Sequence, residues 1–118
     1  MDIEWLRTYC LAKPQVEETL PFGPDVLVFK VAGKIFLLCP LDTENFQFNV
    51  KCDPDLAVEL REQFNCVQPG YHMNKKHWIT VVIDGSIPDR LLKQWIDHSY
   101  DLVASGLTKN EQRALESM

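Results

Sequence analysis

The run Val26-Leu27-Val28-Phe29-Lys30-Val31, the pair Ala32-Gly33, and the run Lys34-Ile35-Phe36-Leu37-Leu38-Cys39 decide the fold. Two apolar, partly β-branched runs around a two-residue turn form the pattern of an antiparallel hairpin. The first run reads as a buried strand and the second as its partner. Working outward, Pro40 and a loop from Asp42 to Asn45 come next. Phe46, Phe48 and Val50 then alternate with Gln47, Asn49 and Lys51, which predicts a half-exposed third strand. Before the hairpin lies a turn-rich loop, Pro21-Phe22-Gly23-Pro24. Before that, Ile3, Leu6, Tyr9 and Cys10 recur at helical spacing behind a capping Asp2, and Lys13-Pro14 closes this short helix. Glu17 and Glu18 follow it.

Beyond the third strand, Asp53-Pro54-Asp55 is a helix start, with an acid at the cap and proline at the first helical position. Leu56, Leu60 and Phe64 make one stripe on that helix. Cys66 to Gln68 reads as a brief extended piece before Pro69-Gly70, and Trp78 to Ile83 as a β-branched strand. After the Asp84-Gly85 turn, Ser86 and Asp89 have capping-box spacing around Pro88. Leu91, Leu92, Trp95, Ile96, Ser99, Leu102 and Val103 give the last long helix a broad apolar face, and Gly106 suits a left-handed end. Thr108 to Glu111 restarts a short helix. Grouped strands with flanking helices predict an α+β fold, an antiparallel sheet with helices packed on one face. Residues 1–118 read as a single domain, with 108–118 a short C-terminal helix or tail.

The chain has 118 residues, 46% of them hydrophobic and 25% charged, so a core can form without disulfides or metal. No apolar run is long enough to span a membrane, and the acidic start Met1-Asp2-Ile3-Glu4 is no secretory signal. A cytoplasmic protein with reduced cysteines is expected. Cys10, Cys39, Cys52 and Cys66 are widely spaced and read as small hydrophobes rather than zinc ligands. The formal net charge is −5 and the pI about 5.1, so bulk charge does not favour nucleic acid. The imbalance is uneven, since residues 51–83 carry four acids and four bases.

Within that neutral stretch, Gly70-Tyr71-His72-Met73-Asn74-Lys75-Lys76-His77-Trp78 concentrates the special side chains. It combines cationic donors, an amide and aromatic faces, which suits an anion, a phosphate backbone or a base. His72 and His77 are five apart and lack the spacing of a helical metal pair, so no metal site is expected. Lys75 and Lys76 are candidate phosphate contacts, with Lys34 and Lys51 extending the track from neighbouring hairpins. Asn74 can meet a base edge or phosphate, and Trp78 either stacks on a base or belongs to the core. His98, Ser99 and Asp101 are nearly consecutive on a helix and cannot form a catalytic relay. His98 and Asp101 can pair on its surface. His72, His77 and His98 with Tyr71 and Asp101 are the one conceivable catalytic set. The first helix offers only Asp2 and Glu4 as acids, too few for an iron-binding ridge.

The blocks Pro21 to Asp25, Phe29 to Phe36, Lys51-Cys52-Asp53-Pro54, Gly70 to Trp78 and His98-Ser99-Tyr100-Asp101-Leu102-Val103 occur in that order. Together they resemble the signature blocks of the MmcQ/YjbR family of small bacterial proteins, over roughly residues 1 to 113. The resemblance implies a CyaY-like, or frataxin-like, α/β sandwich. It also implies a DNA-binding role through a double-wing arrangement of hairpins, and it brings no catalytic residues. The expected function is therefore a non-enzymatic DNA-binding domain without a cofactor, using His72, Asn74, Lys75, Lys76, His77, Trp78, Lys34 and Lys51. The alternative is a module for a protein or a small anionic ligand on the same segment. DNA binding requires the basic side chains to share one face, whereas a ligand module requires a concave site around His72 and Trp78.

Overall fold

The computed structural model describes residues 1–70 and 73–107. Its elements are α1 (Ile3–Leu11), β1 (Val16–Thr19), β2 (Val26–Val31), β3 (Lys34–Pro40), β4 (Gln47–Lys51), α2 (Pro54–Gln63), β5 (Val67–Pro69), β6 (Trp78–Val82) and α3 (Asp89–Ser105). The six strands form one antiparallel sheet in the order β1-β2-β3-β4-β6-β5. The fold is α+β, with the three helices packed on one face.

Local chemistry explains most element ends. The Asp2 carboxylate accepts the Trp5 N–H at 2.9 Å and starts α1. The Asp53 carboxylate accepts the N–H groups of Asp55 and Leu56, and Pro54 opens α2. The central hairpin turns through Ala32 at φ 48° and Gly33 at φ 82°. Two successive left-handed residues make the primed turn whose twist matches paired strands.

Two expectations need correction, and one strand had no sequence signal. β1 falls where the sequence showed only Glu17 and Glu18 following the first helix. It forms because Val16 pairs across from Val31, and because Arg7 of α1 holds Glu18 at 2.6 Å. The capping box at Ser86 does not form. Pro88 is the cap of α3 without a side-chain bond, and the Ser86 hydroxyl donates to Asp84 Oδ1 at 2.5 Å instead. Gly106 ends α3 at φ −86°, a right-handed conformation that needs no glycine. The restarted helix from Thr108 lies outside the described residues.

The two faces of the sheet differ. Phe29, Val31, Leu37, Phe48, Val50, Ile79 and Val81 point at the helices and meet Leu6, Cys10, Leu60, Trp95 and Ile96. Each such side chain contributes about 1.5–3 kcal/mol on leaving water. A register shift between Phe29 and Lys30 lets consecutive Phe36 and Leu37 both turn inward. The opposite face carries Val26, Val28, Ile35, Leu38, Asn49, Trp78 and Thr80, with no helix over it among the described residues.

Candidate functional site

Pairing register locates the candidate lysines. Val31 opposes Lys34 at the tip of the central hairpin, and Lys51 opposes Trp78 where β4 and β6 meet. Because β3 runs antiparallel to β4 with Leu37 opposite Val50, Lys34 lies toward the Lys51 end. The turn carrying Asn74, Lys75 and Lys76 enters β6 at that same end. β3 and β6 are two strand spacings apart, so these groups span roughly 10 Å across the sheet end. Lys34, Lys75 and Lys76 are exposed, and Lys51 is half-buried.

Asn74 organises the turn. Its Oδ1 accepts the Lys76 N–H at 3.0 Å, and its carbonyl accepts the N–H groups of His77 and Trp78. The side-chain oxygen is thereby committed, and what Asn74 can present to a ligand is its amide donors. Arg61 of α2 donates to the Lys75 carbonyl at 3.4 Å. His77 gives its carbonyl to the Cys52 N–H at 2.7 Å. Trp78 is half-buried on the open face and does not belong to the core under the helices. Tyr71 and His72 lie outside the described residues.

The His98-Ser99-Tyr100 block builds structure. His98 Nε2 accepts the Asp53 N–H at 3.1 Å, bracing the start of α2 rather than pairing with Asp101. The Ser99 hydroxyl donates to the Phe36 carbonyl at 2.5 Å and accepts the Lys51 N–H at 2.9 Å. Tyr100 donates to the Pro14 carbonyl at 2.8 Å and meets Phe36 edge-on. Three consecutive residues thus reach three different parts of the chain. Among the described residues, no hydrogen bond joins the His77 and His98 rings, and no group of three metal-ligating side chains converges. Burial pushes the thiols of Cys10 and Cys39 up to about 12 and that of Cys52 up to about 11, so none is a thiolate near neutral pH.

The ligand-module alternative required a concave site around His72 and Trp78, and a concavity lies beside Trp78 on the open face, with a lining the sequence reading did not name. It has a volume of about 640 Å³. Ile35, Leu38 and Pro40 of β3 form one side, Trp78 and Met73 another, and Phe22 leans in from the β1–β2 loop. Gln47, Asn49 and Thr80 supply the polar floor. The signal was present in the hairpin. Runs apolar on both faces need cover on both, and the three described helices all lie on one side.

A family model described as YjbR matches residues 11–102. The protein YbdF of Escherichia coli O157:H7 is 40% identical over 111 residues, covering 93% of this chain and 90% of that one. YjbR of Escherichia coli K12 is 33% identical over 115 residues, covering 98% of each. A crystal structure of Deinococcus radiodurans protein DR2400, with a DUF419 domain, superposes with a TM-score of 0.89 at 38% identity, covering 97% of this chain and 87% of that one. A Pseudomonas syringae protein superposes with a TM-score of 0.76 at 27% identity, covering 86% and 98%.

Proposed function

The chain belongs to the YjbR family, and from that premise we propose that it is a non-enzymatic DNA-binding protein acting in the bacterial cytoplasm. Phosphates would meet Lys34, Lys51, Lys75 and Lys76, and His77 and the Asn74 amide would add donors from the same turn. One observation carries the reading: pairing register brings these groups to a single end of the sheet, with Lys51 on the open face beside Trp78 and Lys34 on the helix-side face beside Val31. The hairpin tip and residues 73–77 lie at that end with β4 between them, and in this reading they would serve as the two wings. The net charge of −5 keeps non-specific affinity weak, near 10⁻⁴ M.

Fluorescence anisotropy of labelled single-stranded DNA across a salt series tests this. Four phosphate contacts on a single strand give a slope of log K against log salt of about −3, and Lys51→Ala with Lys76→Ala removes about half of it. No binding at low salt, or a slope untouched by these changes, refutes the reading. The concavity beside Trp78 favours a second reading, a module for a protein or small ligand without nucleic acid. That module would bind with little dependence on salt.

A further inference from the structure

We propose that the concavity on the open sheet face receives one unpaired base of a DNA strand, so that the chain takes single strands in preference to duplex. The proposal rests on the DNA reading above and gives that site its ligand chemistry.

The lining decides what can sit there. Among the described residues it holds no acid, no base and no histidine. A phosphate would lose its water there and gain no counterion, so the seated group is uncharged. The volume of about 640 Å³ falls within the usual range for small organic groups. A purely aliphatic occupant would leave the floor amides unpaired, which costs binding.

The floor is built rather than incidental. Asn49 and Gln47 lie two residues apart on one face of β4, about 7 Å from each other. The Thr80 hydroxyl, 4% exposed, donates to Asn49 Oδ1 at 2.5 Å and lies 3.3 Å from the Pro69 carbonyl. This fixes the Asn49 amide plane. Its oxygen is taken, and its nitrogen is the group presented as a donor. Every nucleobase carries ring-nitrogen or carbonyl acceptors that meet such a donor.

The walls suit a flat ring with a charged continuation. Trp78 supplies an aromatic face for stacking. Phe22, 64% exposed, is an apolar flank that a seated ring would cover. Lys51 is the register partner of Trp78 on the same face, so a cation stands where the sugar and phosphate of a seated base would run on. The bases of a duplex are paired and stacked inside it, and none reaches this floor without being pulled out.

The test uses the full chain with a mixed-sequence DNA strand of about 16 nucleotides, the same sequence as a blunt duplex, and thymidine. Anisotropy gives affinities for the two DNA forms. NMR follows the Trp78 indole N–H and the Asn49 side-chain amide, and thermal melts confirm that the variants fold. The single strand is expected to bind at least tenfold tighter than the duplex and to shift both signals. Trp78→Leu and Asn49→Leu should each weaken the single strand on the order of tenfold and lower duplex affinity far less. Equal affinity for strand and duplex, with both variants unaffected, overturns the base-binding proposal while the lysine-based DNA reading survives. Absence of DNA binding in either form overturns both. Thymidine shifting Trp78 and Asn49 without any DNA binding would overturn the DNA strand as the source and make the concavity a free-nucleoside site.

Discussion

Replacing Ser99 by alanine removes one oxygen and breaks two bonds. β3 and β4 pair at Leu37–Val50 and Leu38–Asn49, and the inward turn of both Phe36 and Leu37 interrupts the ladder beyond. The Ser99 hydroxyl fills the gap, donating to the Phe36 carbonyl and accepting the Lys51 N–H. Ser99 is fully buried, and Phe36 is too. Without the hydroxyl, the Phe36 carbonyl stays buried without its partner, while the Lys51 N–H lies nearer solvent. Each orphaned group costs about 1–3 kcal/mol, so Ser99→Ala should cost about 2–4 kcal/mol. Urea unfolding of a domain this size has a slope of about 1–3 kcal/mol per molar, so the midpoint should fall by on the order of 1–2 M with the slope unchanged. The Lys51 amide should also exchange faster with solvent. A loss under about 0.5 kcal/mol would refute the reasoning, because it would mean that the hydroxyl bridges nothing that water cannot replace.

Further outcomes follow from other contacts. A Cβ on Gly70 would lie 3.0 Å from the Trp78 Cβ and 3.3 Å from its carbonyl, so Gly70→Ala should lose about 1–3 kcal/mol in urea and weaken single-strand binding by displacing Trp78. The hydrogen bonds from Arg7 hold the Glu18 carboxyl below its usual value. A depressed carboxyl contributes stability above its unfolded value and loses it as pH falls through its folded one. Wild type should therefore melt slightly above Glu18→Gln at pH 7, and the difference should vanish in acid. A difference that grows toward low pH would contradict this. All four cysteines are buried, and burial raises the thiols of Cys10, Cys39 and Cys52, so iodoacetamide should label these three only when urea unfolds the chain, as read by mass spectrometry.

The elements with strong local signals were legible in the sequence. The hairpin around Ala32-Gly33, the Asp53-Pro54 helix start and the apolar stripe of α3 all stand where their patterns place them. β1 was not legible, because what forms it lies elsewhere in the chain. Val16 and Glu18 become a strand through Val31 of β2 and Arg7 of α1, and neither partner shows in Val16-Glu17-Glu18-Thr19 itself. Ser86 had the right spacing for a cap, but Asp84 was nearer to its hydroxyl. For the candidate site, the lysines and Trp78 could be named from composition. Their gathering at one sheet end could not, since it depends on the antiparallel register of β3, β4 and β6. The concavity required knowing that all three helices take the same face. Once that is known, Val26, Ile35 and Leu38 are apolar residues with no helix over them, and Asn49 and Thr80 form the floor between them and Trp78.

Photocrosslinking of an iodouracil-substituted single strand, followed by peptide mapping, tests most directly whether DNA reaches the open sheet face. The account predicts crosslinks to Trp78, Phe22 or Met73, lost in Lys51→Ala with Lys76→Ala as salt rises. Crosslinks on the helical layer instead, at the shallow groove of Trp5, Tyr9 and Lys93, or none at all, would contradict it.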